Sequence, residues 1–427
     1  MLTRLAAIAC LLLVTACAGV RTYTFPRPVD TSSKEVRLLA DQTFTTPADV
    51  VAFADFPGAR LAGFRESGKT EEGLPLFIAD IPAENQPINK SPWYAFSLAA
   101  AQPQEVVVRL TFPEGVGNRY QPKTAPSRSG PWTYVPYDRV DTSANTADVR
   151  LALTQRPLFL AGQEIVATDS IRRWLYNLPR EGLTLDTIGR SVLGRPIWLL
   201  EAGSGKRDKR PTVVLFSRQH PPEVTGSTAF QAFVERLLED DALAVGFRQN
   251  FRLVVFPVVN PDGVDEGHWR HNANGVDLNR DWAEYRQPEV RAVAEWLQRN
   301  TRRDQVVWGM DFHSTQYDVL YTHDPSLVEF EGADKLDAWT DALAAWAATN
   351  YLGASAKPGA TPLGRPLTTG QDTLRIEPEG LGRPTSANWV AQHYGTVGVT
   401  YEVGDEQDRA YIRAKAQAAA EALMRVL

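Results

Sequence analysis

The stretch Phe216-Ser217-Arg218-Gln219-His220-Pro221-Pro222-Glu223-Val224-Thr225-Gly226 decides how the rest of the chain reads. The apolar run Val213 to Phe216 ahead of it predicts a buried strand, and the proline pair suits the first turn of a helix, where a missing N–H costs little. His220 and Glu223 then meet at a strand-to-helix junction. An imidazole nitrogen and a carboxylate brought together there supply two ligands of the kind a catalytic Zn²⁺ takes, leaving room for a third and for water. The plainer alternative is a histidine satisfied by its neighbouring carboxylate, and so short a motif leaves both open.

Three further strands end in polar groups, and in open α/β sheets ligands collect at strand ends. The strand ending at Val259 runs into Asn260-Pro261-Asp262-Gly263, read as a tight turn, then Trp269-Arg270, Asp277 and Asn279-Arg280. The strand ending at Phe312 delivers His313-Ser314-Thr315, and the strand through Thr400 delivers Glu402.

Taken together, these groups resemble the zinc carboxypeptidases of the carboxypeptidase A-like family over roughly residues 168 to 427. The resemblance implies one Zn²⁺ held by His220, Glu223 and His313, with Asp277 accepting a hydrogen bond from His220. It implies Arg270 as the group that polarises the scissile carbonyl, Asn279 and Arg280 as the holders of a substrate's terminal carboxylate, and Glu402 as the general base. The chemistry agrees, since a guanidinium offers a planar fork of donors and a carboxylate beside a metal can take a proton from water. The Arg218-Gln219-His220 approach and a preceding Trp- and Tyr-rich β domain look like the cytosolic carboxypeptidase branch. One departure stands out: no tyrosine lies between Thr373 and His393, where family members carry a mobile substrate-binding tyrosine, and Tyr394 is only the nearest one. His268, His271, His323 and His393 read as non-ligands, because three protein ligands and water complete a catalytic zinc site.

Working outward, segments 167–427 alternate strand and helix patterns and predict an α/β domain with a mixed, mostly parallel sheet flanked by helices. Helices are expected over Ile171–Leu178, Thr228–Glu239, Glu289–Arg299, Lys335–Ala348 and Arg409–Leu427. The loop Gly380 to Trp389 is expected to line the pocket for the substrate's last side chain; its Arg383 would favour an acidic side chain there, but reads better as an ordinary exposed loop arginine. Residues 41–166 carry strand signals such as Trp93–Leu98 and Val106–Phe112 and predict an antiparallel β-sandwich domain. Its aromatics Trp93, Tyr94, Tyr120, Trp132, Tyr134 and Tyr137 suit a sheet core better than a glycan-stacking platform. Residues 17–40 are polar and read as a tether.

Residues 1–16 carry Arg4 and then an apolar run to Val14, too short to span a bilayer and typical of a secretory signal. The ending Val14-Thr15-Ala16-Cys17 resembles the lipobox of bacterial lipoproteins, which implies lipidation at Cys17 and a membrane anchor. Ala18 is not an aspartate, so by the same resemblance the expected place is the outer membrane, facing the periplasm. Cys10 and Cys17 are the two cysteines, so no disulfide is expected in the processed chain. A formal charge of −6, from 45 basic and 51 acidic residues, gives no basic field for nucleic acid.

The expected function is a zinc-dependent metallocarboxypeptidase that hydrolyses the C-terminal bond of envelope peptides with a free carboxylate. Two rivals remain: an amidohydrolase on the same fold acting on cell-wall stem peptides or N-acyl amino acids, and a non-catalytic module binding wall glycans or peptides.

Overall fold

The computed structural model describes residues 20–427, apart from 37–38, 40–41, 85–90, 180, 204–207, 325, 327 and 355–373. The signal segment 1–16 and Cys17 lie outside the described residues.

The first half is built from β1 (Thr43–Thr45), β2 (Val50–Phe53), β3 (Gly63–Lys69), β4 (Pro75–Asp80), β5 (Ala95–Ala100), β6 (Gln104–Thr111), β7 (Lys123–Ala125), β8 (Thr133–Tyr134), β9 (Arg139–Asp141), β10 (Thr146–Leu153) and β11 (Leu158–Ala161). They form two sheets, ordered β1-β2-β5-β11-β7-β8 and β3-β4-β6-β10-β9. Val50, Phe96 and Leu160 of the first meet Phe77, Val108 and Val149 of the second in one core, which makes a sandwich. The expectation of a wholly antiparallel domain needs one correction: β4 and β6 pair in parallel. The intervening β5 belongs to the other sheet, so the chain returns to its neighbour in the same direction. Trp93, Tyr94 and Tyr120 are buried at 4%, 1% and 1% exposure, so they are core and not a platform; of the six aromatics only Tyr134 is exposed.

The second half opens with α1 (Thr168–Asn177) and continues through β12 (Leu183–Arg190), β13 (Pro196–Ala202), β14 (Thr212–Ser217), α2 (Val224–Leu237), α3 (Ala242–Asn250), β15 (Arg252–Phe256), α4 (Pro261–Asp265), α5 (Pro288–Asn300), β16 (Val306–Thr315), β17 (Val319–His323), α6 (Ala333–Ala354), β18 (Arg375–Glu379), α7 (Ser386–Tyr394), β19 (Val397–Gly404) and α8 (Arg409–Val426). The sheet order is β12-β13-β15-β14-β16-β19-β17-β18, with a parallel centre in which β14 pairs with β15 and β16, and β16 with β19. Both faces are covered, as the apolar run in β14 requires. Val213 and Leu215 enter a core shared with α2, α6 and α8, while Val214 and Phe216 enter one shared with α5 and α7.

That alternation aims the functional strands. Trp308, Met310 and Phe312 of β16 fill the first core, so Gly309, Asp311 and His313 face the other way. Gly309 is there because α7 lies so close: a Cβ would stand 2.7 Å from Val390.

Several local readings change. Pro221 and Pro222 sit in the turn before α2, whose first helical residue is Val224. The segment after Asn260 is the short helix α4, because the Asn260 side chain caps it by accepting from Gly263 N at 2.9 Å. The expected loop 380–389 turns helical at Ser386, where α7 begins behind a Thr385 cap. The tether reading of 17–40 also fails where residues are described. Phe25 is 3% exposed in the α5–α7 core, and Tyr23 N, Arg27 N and Lys34 N donate to Ala283 O, Gly382 O and Asn274 O. Residues 20–36 are a strap, since an aromatic and a row of backbone hydrogen bonds bind them to the α/β domain.

Candidate metal centre

His220 and Glu223 lie between β14 and α2, as the strand ends and the chain turns over the top of the sheet. Arg218, two residues before His220, holds φ at +55°, an uncommon conformation for a non-glycine, and its guanidinium donates to Val166 O at 2.9 Å. His313 comes from β16. Its Nδ1 is 3.2 Å from His220 Nδ1, and the Glu223 oxygens lie 2.8 Å from each of these nitrogens. One donor atom from each of the three residues falls within 4.8 Å of the others, and all three are buried.

The far nitrogens are both occupied by carboxylates. His220 Nε2 is 3.1 Å from Asp277 Oδ1, and His313 Nε2 is 2.7 Å from Asp311 Oδ2. Each ring is therefore turned so that Nδ1 faces the common point. Two imidazole nitrogens facing each other at 3.2 Å cannot hydrogen-bond as two donors or as two acceptors, whereas a cation between them satisfies both. With a carboxylate completing the set and outer carboxylates orienting the rings, the donors fit Zn²⁺.

Asp277 does more than orient His220. Its Oδ2 accepts from Arg270 Nε at 2.7 Å and its Oδ1 from Asn279 N at 2.9 Å. Burial opposes its ionisation, but Arg270 and His220 outweigh that and hold its carboxyl well below the usual range. Glu223 is likewise pushed up by burial and held far lower by His220 and His313. Glu402 goes the other way: burial first, and the Glu223 charge second, raise it to about 7. Its Oε2 is buried without a hydrogen-bond partner among the described residues.

Asn279, implied as a holder of the substrate carboxylate, is buried between α7 and His313. Its Oδ1 accepts from Ser386 N at 2.9 Å and its Nδ2 lies 3.2 Å from His313 Nε2, which places the amide beside the candidate metal site. Arg280 is partly exposed, with Nη1 donating to Asn279 O at 2.7 Å. Arg383 is exposed. Tyr394 is 7% exposed in the core, its hydroxyl 2.8 Å from Thr301 Oγ1, so it is no mobile substrate group. None of the other four histidines joins the donor cluster; His393, for instance, stacks on Trp389 at 5.0 Å.

Sequence reasoning missed Asp311, Gln219 and Ser386. The hydroxyl of Ser386 and the amide of Gln219 both donate to Asp311 Oδ2, and Trp282 Nε1 holds the Gln219 carbonyl at 2.8 Å. Asp311 had a signal, for a carboxylate two residues before a ligand on a strand shares its face.

A family model for zinc carboxypeptidases matches residues 171–422, more than half of the chain. The chain belongs to the zinc carboxypeptidase family. Among relatives of this zinc carboxypeptidase, an uncharacterised Zymomonas mobilis protein is 35% identical over 168 residues, 38% of this chain and 41% of that protein. Cytosolic carboxypeptidase 2 of Xenopus tropicalis is 31% identical over 137 residues, 30% of this chain and 14% of that protein. The matches thus span less than half the length of these relatives. In fold, a metallo-carboxypeptidase from Burkholderia cenocepacia superposes with a TM-score of 0.67 at 19% identity, covering 88% of this chain and 97% of its own. One from Pseudomonas aeruginosa gives 0.64 at 19%, covering 88% and 98%. Coverage of that extent takes in the β domain as well as the α/β domain.

Proposed function

We propose that this zinc carboxypeptidase removes C-terminal residues from peptides in the bacterial cell envelope. The observation that carries the reading is the buried His220, Glu223 and His313 donor set with Glu402 on the strand beside it. Zn²⁺ bound by those three residues supplies Lewis-acid polarisation of carbonyl and water. Glu402 takes a proton from the attacking water and returns it to the leaving amine; a carboxyl raised towards neutrality suits both transfers. Arg270, anchored through Nε on Asp277, offers its remaining donors to the developing oxyanion. Arg280, partly exposed, takes the terminal carboxylate.

The test is a free-carboxylate peptide library analysed by mass spectrometry. Stepwise loss of single C-terminal residues, abolished by chelation and restored by Zn²⁺, is the expected result. Release of internal fragments, or action confined to N-acyl amino acids or wall stem peptides, would replace this reading with the amidohydrolase one.

The envelope location rests on the Cys17 lipobox and the outer-membrane expectation on Ala18. Metabolic labelling with a fatty-acid probe should mark the wild-type chain and not Cys17→Ser. Equal labelling of both removes the anchor.

A further inference from the structure

The β domain is packed directly onto the loop that carries Arg270. Gly267 has φ +65°, and a Cβ there would stand 2.1 Å from Ala59 O, so two backbones touch at that point. Gly58 N donates to Asp265 O at 2.8 Å. Trp269 is buried against Trp93, Tyr120 and Ile165, and the Arg119 guanidinium lies 4.8 Å over its ring.

Glu84 makes a polar contact across this interface that is wholly enclosed. Glu84 follows β4 on the way to β5, and its side chain is 0% exposed. Its Oε1 accepts from Trp269 N at 3.1 Å and from Arg60 Nη2 at 3.2 Å, while Oε2 lies 2.6 Å from His271 Nε2. Its two partners in the α/β domain are thus the residues on either side of Arg270. From the other side Arg270 is tied to Asp277, and Asp277 to His220.

A buried carboxylate is a poor way to stabilise an interface. Taking it out of water costs more than an apolar side chain of the same volume, and its partners at best make up the difference. Burial here raises the Glu84 carboxyl, and the His271 hydrogen bond with the His271 and Arg60 charges brings it to about 2. What the carboxylate provides and an apolar group does not is direction: a fixed acceptor for one backbone N–H, and a second oxygen held 2.6 Å from one imidazole.

We propose that Glu84, contributed by the β domain, is a positioning residue for Arg270, fixing both of its chain neighbours so that the guanidinium keeps its place between Asp277 and the substrate. The inference rests on the carboxypeptidase reading for its kinetic consequence but not for its structural one. The β domain is then a working part of the active site.

The experiment is a double-mutant comparison in the full chain. Glu84→Gln should lower kcat at least tenfold with KM within threefold, zinc content unchanged, and amide exchange over residues 268–272 raised. In an Arg270→Ala background the same change should cost less than twofold, because the residue it serves is gone. His271→Gln, which breaks only the Oε2 contact, should show the same non-additivity and serves where Glu84→Gln folds poorly. Equal losses in both backgrounds, or wild-type kcat in both single variants, overturn the proposal. If zinc-loaded wild-type protein cleaves no peptide, the carboxypeptidase reading fails by itself. The exchange comparison then decides the clamp, and unchanged protection at 268–272 overturns it.

Discussion

His313 and Glu402 stand directly opposite each other across the parallel pair β16 and β19. That register puts an imidazole of the candidate metal site beside a buried carboxylate oxygen that has no hydrogen-bond partner among the described residues, on strands fixed by eight consecutive pairings. Glu402→Gln keeps size and shape but loses basicity, so kcat should fall at least ~10²-fold. Zinc content and the unfolding transition should stay as in wild type. Zinc loss in this variant, measured by elemental analysis, would make Glu402 structural.

His220→Ala and His313→Ala should each lose the metal outright. Asp311→Asn is the more informative change, because Asp311 meets His313 at its far nitrogen and not at the one facing the candidate metal position. Loss of such an outer carboxylate typically weakens metal affinity about 10–100-fold, which competition against a chromogenic chelator would read. Unaltered affinity would leave Asp311 as a partner of Ser386 and Gln219 alone.

Asn279 and Arg280, neighbours in sequence, should separate in function. Arg280→Ala should raise KM for peptides with a free C-terminus about tenfold or more, while amidated peptides, already poor substrates, change little. Asn279→Ala should act on zinc affinity instead, since its amide is held by Ser386 N and faces His313. Parallel kinetic profiles for the two variants would refute the division.

Glu289 gives the fold a pH dependence. It is fully buried at the start of α5, and burial above all raises its carboxyl to about 7. The folded state therefore holds a proton that the unfolded chain releases near its ordinary value of 4.5. The stability this provides is complete below that value and is lost as pH rises through about 7, on the order of 2–4 kcal/mol. Glu289→Gln should flatten the fall in Tm between pH 5 and 7. A slope as steep as wild type would assign the effect elsewhere.

Phe25 distinguishes a strap from a tether. Truncating a buried phenylalanine typically costs about 3–5 kcal/mol, and an unattached linker residue costs nothing. Phe25→Ala should lower the denaturant midpoint without altering zinc content. An unchanged midpoint would return residues 20–36 to the status of a linker.

The sequence by itself determined the α/β plan and the identity of the groups at its strand ends. Val213–Phe216 is an apolar run that predicts a buried strand, polar groups gather at the ends of such strands, and the family resemblance is what gave His220, Glu223, His313 and Glu402 their expected roles. Short periodicities and residue chemistry are local properties, and they survive without a fold. Partnership is not local. That Asp311 orients His313, that Asn279 is held by Ser386 next to the candidate metal site, and that Glu84 reaches across 185 residues to Trp269 depend on which strands and loops become neighbours. Phe25 and its strap belong to the same class, for two aromatics in a polar stretch, Tyr23 and Phe25, show no sustained pattern until the α5–α7 core is there to receive them. Tertiary structure decided these because burial, which sets the cost of leaving a polar group unpaired, is a property of the assembled molecule.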